Sequence, residues 1–478
     1  MSQALLRTVA VALASSAAFT PVVAAQSAVA DTPAVDRYIA AEMRAQKIPG
    51  LSLAVRRAER LVYVKGYGVA TLEHAVAASP DTLFQIGSIG KQFTAAAAML
   101  LARDGKLSLD DHLSKYLPGI PPTWSDITLR LMLNHRSGIA QLTPPARDLL
   151  DLHHDYTDAE YIRLATSVPL DFRPGTDVSY SDTAYVLLGF VLNRVAGQFY
   201  GDFLTERVFR PLGMSRTRVV SDADIIVGRA SGYELRPDGA LRNQSWVAPA
   251  LNRTADGSLY STVLDLARWD EALSARRILD GEELERMWSV ESLHGGGVPF
   301  YHYGYGWVID QWRGHRVIEY DGNWQGFQAA MARYEDRHLT VIVLTNLALC
   351  RAQRIAHTVA ALFDPALARF DTPAPDLNRQ ITLAFEDFIA DAARGAAISL
   401  PLTPAGRKRL TPTWVAALGG ELRATGPVGA VTLVAETRAH GMLERVYRVE
   451  AKEMVNFFSL RYNPADGAVD DASVYQEY

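Results

Sequence analysis

Residues 84–94 read FQIGSIGKQFT. Apolar residues recur at helical spacing after Ser88, four alanines follow Thr94, and Gly105 ends the pattern, so a long helix is predicted to begin near Ser88. Ser88 and Lys91 lie three residues apart and therefore share one face of that helix. A serine hydroxyl becomes nucleophilic when a neighbouring base takes its proton, and a helix N-terminus offers free N–H groups to an oxyanion. The pair predicts a nucleophile with its base, although S-x-x-K alone also occurs by chance in helices.

Strand patterns lie at both ends of the region from about residue 36 to 365, and mostly helical patterns lie between them. Two strands around a short turn are predicted at residues 51–56 and 60–65. Short polar turns separate four β-rich runs near the other end, which are residues 305–311, 316–320, 327–334 and 339–345. Such short links favour antiparallel hairpins. The sequence therefore predicts an α/β (α+β) fold with one antiparallel sheet, built from both ends, flanked by helices and carrying a helical subdomain.

The chain beyond this region predicts a second, smaller domain. Residues 31–365 form the main domain, and residues 366–376, crowded with proline and without periodicity, predict a linker. One clear helical pattern and several successive strand patterns occur in residues 377–478, which predicts a C-terminal α+β accessory domain.

The first thirty residues have the three-part pattern of a secretory signal peptide. Residues 1–30 contain one charged residue, Arg7, then an apolar stretch, then small residues that suit cleavage after Ala25 or Ala30. A membrane-spanning helix needs about 20 apolar residues, and this stretch is shorter. We therefore expect an exported protein, periplasmic or extracellular, without a stable membrane span.

Composition excludes several classes of protein. The 478 residues carry 48 basic and 53 acidic side chains, for a net charge of −5, so no basic stripe is available for nucleic acid. Cys350 is the only cysteine, which excludes a disulfide within the chain and a zinc site of several cysteines. Apolar residues make up 49% of the chain, which is typical of a globular protein. We expect a small-molecule substrate and neither a metal nor a cofactor.

Several further short sequence blocks occur in the same order and with the same spacing as in a known family. They are residues 104–111 (DGKLSLDD), 131–138 (LMLNHRSG), 174–175 (PG), 180–181 (YS), 185–189 (YVLLG), 211–214 (PLGM), 261–262 (ST), 265–267 (DLA) and 326–327 (GF). Together with residues 84–94 they resemble the superfamily of serine β-lactamases and penicillin-binding proteins. The match is best to its class-C-like branch of D-aminopeptidases, D-alanyl-D-alanine carboxypeptidases, esterases and acyltransferases. The resemblance covers about residues 36–365 and implies the β-lactamase-like fold.

The resemblance also implies roles for individual residues. Ser88 would be the acylated nucleophile, Lys91 its base partner, and Tyr180 the phenol that passes a proton to the leaving group. The backbone N–H groups of Ser88 and Asn323 would form the oxyanion hole, which stabilises the charge of the tetrahedral intermediate. Residues assigned in the same way to substrate binding or the oxyanion hole are Asp182, Tyr320, Gly322 and Asn323.

The second motif departs from the family pattern. The family usually has Tyr-x-Asn, whereas this chain has Tyr180-Ser181-Asp182. An ionised aspartate accepts hydrogen bonds but donates none, unlike asparagine. Asp182 would also form an ion pair with Lys91 and favour the charged lysine, which is a worse base.

The third motif departs as well, since a lysine or histidine usually begins it and this chain has Tyr320-Asp321-Gly322. That cation commonly faces the carboxylate of the substrate, and a neutral tyrosine cannot pair with a carboxylate. Arg253 and Arg316 are the basic residues that could replace it. Both departures weigh against β-lactams and D-Ala-D-Ala peptides and favour neutral esters or amides.

The sequence thus predicts an exported, metal-free serine hydrolase that forms an acyl-enzyme on Ser88 and acts as an esterase, a peptidase or a β-lactamase-like enzyme. Two alternatives stay open. One is an acyltransferase, in which another nucleophile replaces water at the same site. The other is a catalytically impaired binding protein on this scaffold, which the changes at Asp182 and Tyr320 motivate.

Overall fold

The computed structural model describes residues 32–143, 146–221, 223–297, 299, 301–368, 373–396, 399–424, 427–439, 441–451 and 455–477. The predicted signal peptide, residues 1–30, lies outside the described residues. So do residues 369–372, which belong to the predicted linker. None of the described helices combines the length and the apolar character that are needed to cross a bilayer.

The described residues form sixteen strands and twelve α-helices. The strands are β1 (Gly50–Arg57), β2 (Arg60–Thr71), β3 (Val76–Ala77), β4 (Phe84–Gln85), β5 (Arg218–Val219), β6 (Tyr233–Leu235), β7 (Leu241–Asn243), β8 (Leu259–Ser261), β9 (Val308–Trp312), β10 (His315–Trp324), β11 (Phe327–Tyr334), β12 (Leu339–Thr345), β13 (Val428–Ala439), β14 (Met442–Ala451), β15 (Val455–Tyr462) and β16 (Val469–Glu477). The helices are α1 (Thr32–Gln46), α2 (Gly90–Arg103), α3 (Leu129–Leu133), α4 (Asp158–Ser167), α5 (Asp182–Ala196), α6 (Tyr200–Leu204), α7 (Val263–Ser274), α8 (Gly281–Met287), α9 (Ala352–Phe363), α10 (Arg379–Arg394), α11 (Pro404–Arg409) and α12 (Pro412–Ala424).

The main sheet joins the two ends of the first domain. Its seven strands follow the order β3-β2-β1-β12-β11-β10-β9, and all neighbours are antiparallel. The central pairing is between β1 and β12, with Leu51 opposite Thr345. This arrangement confirms the predicted antiparallel sheet built from both ends of the region.

Helices cover both faces of the main sheet, and the alternation of side chains along β1 shows how. Leu51, Leu53 and Val55 point to one face and pack with residues of α1 and α9. Ala54 points to the other face, whose core is continuous with the buried residues of α2, α5 and α7. Since successive side chains of a strand point to opposite faces, a strand buried on both sides must be apolar at nearly every position.

A second sheet, of four antiparallel strands in the order β13-β14-β15-β16, forms the core of the C-terminal part of the chain. Residues of α10 and α12 pack against it, and the rings of Phe385 and Tyr447 stack with their centres 4.4 Å apart. The predicted C-terminal α+β unit is therefore confirmed. The predicted boundaries of the linker stay a prediction.

A small third sheet positions the segment that precedes α2. Strand β4 pairs with β8, with Gln85 opposite Tyr260, and the amide of Ile86 donates to the carbonyl of Leu259 at 3.0 Å. Strand β10 approaches from the main sheet, because a Cβ atom added to Gly322 would lie only 2.0 Å from the carbonyl oxygen of Ile86. Residues far apart in the sequence therefore converge on the start of α2.

Candidate active site

Ser88 lies in a single 3₁₀ turn, Gly87–Ile89, immediately before α2. Gly87 adopts a φ of +49°, and a Cβ atom there would come within 2.6 Å of the backbone nitrogen of Asn323. Only glycine suits such a position, since it has no Cβ and tolerates positive φ. The turn thus presents Ser88 beside strand β10 at the start of a buried helix.

Lys91 lies one turn further along α2, and its side chain is fully buried. Its Nζ donates to Ser88 Oγ at 3.0 Å, to Asp182 Oδ1 at 2.6 Å and to the backbone carbonyl of Asp256 at 2.6 Å. An ammonium group has three hydrogens to donate, and all three find acceptors here. The ammonium form of Lys91 is therefore fully satisfied.

Tyr180 and Asp182 reach the same place from the start of α5. The hydroxyl of Tyr180 lies 2.6 Å from Ser88 Oγ and donates to Asp182 Oδ1 at 2.7 Å. Burial, followed by the charge of Asp182, raises the pKa of Tyr180 well above its ordinary value, so the phenol keeps its proton. It can accept the hydrogen of Ser88 while it donates its own to Asp182.

Asp182 receives hydrogen bonds at both carboxylate oxygens. Gln141 Nε2 donates to Oδ2 at 2.7 Å, and the Asp182 amide donates back to Gln141 Oε1 at 2.8 Å. Burial by itself would raise the pKa of Asp182, but Lys91, through its charge and its hydrogen bond, and then Tyr180 and Gln141 lower it below its ordinary value. Asp182 is therefore an ionised acceptor held by three donors.

His135 supports the ring of Tyr180. It adopts a φ of +58°, and its Nδ1 accepts from the amide of Ser181 at 3.2 Å. Its ring centre lies 4.6 Å from that of Tyr180 and 4.3 Å from that of Tyr303. Burial, and then the charge of Lys91, lower the pKa of His135 well below its ordinary value, so the imidazole is neutral.

Gly322 and Asn323 bring the backbone of β10 against the nucleophile. A Cβ atom on Gly322 would lie 2.9 Å from the backbone nitrogen of Ser88. The strand can therefore come this close to Ser88 only because position 322 is glycine. The side chain of Asn323 turns away and donates to Gln328 Oε1 at 2.8 Å. The structure thus places the backbone of Asn323 beside that of Ser88, the two predicted donors to an oxyanion.

Tyr320 is the one predicted site residue that lies outside this cluster. Its side chain is only 3% exposed, its hydroxyl accepts from Tyr303 at 2.9 Å, and it does not line the pocket that contains Ser88. Neither candidate arginine lines that pocket either. Arg316 binds Glu335, and Arg253 lies over the ring of Phe199.

Asp256 lies in the cluster, although the sequence did not predict it. It precedes β8 and lines the pocket, and its backbone carbonyl accepts from Lys91. Burial, and then the charge of Asp182, raise the pKa of Asp256 to about 6. The loop around it has no periodic pattern, and a lone carboxylate between alanine and glycine carries no recognisable signal.

The pocket has a volume of about 50 Å³. Its polar walls include Ser88, Asp182, Asp256 and Asn323, together with Gln141 and several serine and threonine side chains, and its apolar walls include Leu251. Larger cavities of about 580 and 1090 Å³ lie elsewhere, and none of the predicted site residues lines them. Within the part of the chain that the structure describes, no three His, Cys, Asp or Glu side chains are grouped so that they could hold a metal ion.

Solved structures share this architecture. The octameric penicillin-binding protein homologue from Pyrococcus abyssi superposes with a TM-score of 0.63 at 23% identity, over 94% of this chain and 96% of that one. The D-amino acid amidase from Ochrobactrum anthropi SV3 has a TM-score of 0.58 at 26% identity, over 66% of this chain and 91% of that one. The first likeness shows the fold, and the second is also a likeness in sequence.

Sequence relatives and a family model agree with the fold. Penicillin-binding protein 4* of Bacillus subtilis (strain 168) is 29% identical over 300 residues, which are 60% of this chain. The chain spans 65% of the length of that relative and 58% of the length of the unguisins hydrolase of Aspergillus campestris. The family model described as Beta-lactamase matches residues 35–362. The chain therefore belongs to the beta-lactamase family, within the superfamily of serine β-lactamases and penicillin-binding proteins.

Proposed function

We propose that this protein is a serine hydrolase that forms an acyl-enzyme on Ser88 and cleaves neutral esters or amides. The observation that carries the proposal is the continuous hydrogen-bonded set of Ser88, Lys91, Tyr180 and Asp182 at the edge of the pocket. A nucleophile, a group that can take its proton and a donor for the leaving group are the parts that acyl transfer requires.

The contacts suggest how acylation proceeds. Asp182 stabilises the ammonium form of Lys91, whereas a base must be neutral, so the reactive form is the one in which Lys91 has lost a proton. Neutral Lys91 then takes the proton of Ser88 while Oγ attacks the carbonyl carbon. Tyr180, already bonded to Oγ, donates a proton to the departing alcohol or amine, and the amides of Ser88 and Asn323 meet the oxyanion.

The charges around the pocket support neutral acyl groups. Asp182 and Asp256 both line it, and its described lining residues include no lysine or arginine. A substrate carboxylate would find no cation and would face two acidic groups, which disfavours penicillins and peptides that end in D-Ala-D-Ala. The named activity of the structural relative from Ochrobactrum anthropi, a D-amino acid amidase, supports amides as well as esters.

The test is intact-mass detection of an acyl adduct across p-nitrophenyl esters, D-amino-acid amides and a cephalosporin. We expect adduct and turnover with neutral esters or amides, and values of kcat/KM about ten to a hundred times lower for substrates with a carboxylate, because a charge-assisted hydrogen bond contributes about 1.5–3 kcal/mol. Equal rates for both classes would overturn the selectivity. No adduct with any substrate would favour the binding-protein alternative, and ester or amide products after addition of an alcohol or amine would favour an acyltransferase.

We also propose that the protein is exported. The support is the pattern of residues 1–30, namely Arg7, a short apolar stretch and small residues before two cleavage positions. Expression in a bacterial host followed by cell fractionation and N-terminal sequencing tests this. We expect mature protein outside the cytoplasm that begins after Ala25 or Ala30, and an uncleaved protein in the cytoplasm would contradict it.

A further inference from the structure

Asp256 is bonded to the catalytic cluster through its backbone, while Thr254 hydrogen-bonds to its carboxylate. Its carbonyl oxygen accepts from Lys91, and a Cβ atom added to the next residue, Gly257, would lie 3.1 Å from the backbone nitrogen of Ser88. Asp256 is also one of the residues that line the pocket. Among the residues that the structure describes, its Oδ1 is buried and has no hydrogen-bond partner. A buried carboxylate oxygen without a partner is unfavourable unless a water or a ligand group completes it.

The size of the pocket indicates what that partner is. The pocket of about 50 Å³ reaches from Ser88 and Asn323 to Asp256. One water molecule needs about 10–15 Å³ of such space, so a few water molecules fit and a large substrate group does not. Apolar walls such as Leu251 lie beside polar ones such as Thr254 and Ser258, whose hydroxyl groups can also bind such a water. A water held by Asp256 would therefore lie beside the serine that carries the acyl group.

We propose that Asp256 is the general base that activates the hydrolytic water in deacylation. The inference rests on the proposed acyl-enzyme chemistry. It adds a second base for deacylation, distinct from Lys91, which is the base for acylation. The pocket would hold the water between Asp256 Oδ1 and the carbonyl carbon of the acylated Ser88, on the side where Asn323 offers its backbone amide to the carbonyl oxygen.

The step balances as follows. Asp256 takes one proton from the water while the water oxygen bonds to the acyl carbonyl carbon, and the carbonyl oxygen becomes the oxyanion. The intermediate then collapses, and the bond between that carbon and Ser88 Oγ breaks. Ser88 Oγ takes a proton from Tyr180 or Lys91, which restores the hydroxyl, and the proton on Asp256 returns by solvent to that donor. The product is the free acid, with no oxidant or cofactor involved.

The charges around Asp256 suit this role. Lys91 from α2 and Asp182 from α5 face it, and Tyr161 from α4 and Tyr200 from α6 pack near enough to respond to its charge. Burial and the Asp182 charge raise the pKa of Asp256 to about 6, which is close to where a general base works best at neutral pH. Asp182 is unsuited to the task because Lys91 and other donors already occupy both its oxygens.

The experiment separates the two chemical steps. Wild type, Asp256→Asn and Asp155→Asn are mixed with p-nitrophenyl acetate in a stopped-flow instrument, and acyl adduct is followed by intact mass. Asp155 is an exposed residue outside the pocket whose carboxylate accepts a hydrogen bond from the amide of Ala250. Its replacement by asparagine is a control for the effect of exchanging a carboxylate for an amide elsewhere. We expect an unchanged burst in Asp256→Asn, a steady-state rate lower by about 10²–10⁴, and an adduct close to one per protein. Hydroxylamine, a stronger nucleophile than water, should release that adduct and restore turnover.

Several outcomes would overturn the proposal. Turnover by Asp256→Asn within about threefold of wild type, without accumulated adduct, would mean that the carboxylate does not activate the water. If the variant does not fold, the pH dependence of wild-type deacylation decides instead, because we expect the rate to fall as the pH drops through about 6, and a flat profile from pH 5 to 8 would contradict the proposal. A wild type that forms no adduct would instead refute the proposed function, which keeps the two failures apart.

Discussion

Replacing Asp182 by asparagine removes one charge from the cluster and keeps the shape of the side chain. Lys91 Nζ lies 2.6 Å from Asp182 Oδ1, and the two side chains are 0% and 29% exposed. Removal of one partner of a buried ion pair costs about 3–5 kcal/mol. Partial exposure of Asp182, together with the amide oxygen that still accepts, reduces the loss of ammonium stabilisation to about 2 to 3 kcal/mol. The neutral lysine becomes easier to form.

The assay is the acylation burst with a p-nitrophenyl ester, recorded from pH 6 to 10 at the isosbestic wavelength of the phenol. We expect acylation by Asp182→Asn to become fast at a lower pH than acylation by wild type, because no ion pair is lost when neutral Lys91 forms. Asp177→Asn, the same change at a carboxylate that is 42% exposed, should leave the profile unmoved. An unshifted midpoint in Asp182→Asn would refute the role of the ion pair. Loss of acylation at every pH would show instead that Asp182 accepts the serine proton through Tyr180.

Ser88→Ala should abolish adduct and turnover and change the free energy of unfolding by less than about 1 kcal/mol, as intact mass and urea denaturation can check. Gly322→Ala should slow the burst by about a hundredfold or more, because its Cβ would collide with the backbone of Ile86 and Ser88, whereas Gly420→Ala, with open space around it, should not. Asp256→Asn should stabilise the fold by about 1–3 kcal/mol at pH 8. That gain should vanish below about pH 3, where the carboxyl group is protonated in both the folded and the unfolded state, and urea midpoints at the two pH values test it.

The local part of the site was predictable and the long-range part was not. Ser88 and Lys91 are three residues apart, so helical geometry alone brings them together. The contact from Lys91 to Asp182 spans 91 positions and the one to Asp256 spans 165. The resemblance to a known family supplied the first of these. Nothing supplied the second, because a loop between strands has no period that would reveal where its side chains point.

Tyr320 shows the same limit within a predicted strand. Alternation along β10 places Tyr320 and Gly322 on one face, the face towards Ser88, and this much follows from the sequence. The sequence does not predict how deeply the ring of Tyr320 is buried. Its burial depends on Tyr303, which belongs to an irregular segment before β9 and whose hydroxyl donates to that of Tyr320. The antiparallel sheet was easier to predict, since short turns separate β9 to β12 and since β11 and β12 are largely apolar.

Lys91 joins three separate parts of the chain, because its acceptors belong to the turn before α2, to α5 and to the loop before β8. A refolding chain that has regained its helices but has not yet brought these parts together has Ser88 and Lys91 side by side, but it lacks the proton donor Tyr180 and the acceptor Asp182. Secondary structure and activity should therefore return at different times after dilution from denaturant. Circular dichroism at 222 nm should recover first, and reactivity towards an ester should recover only when the longest loops of the fold have closed.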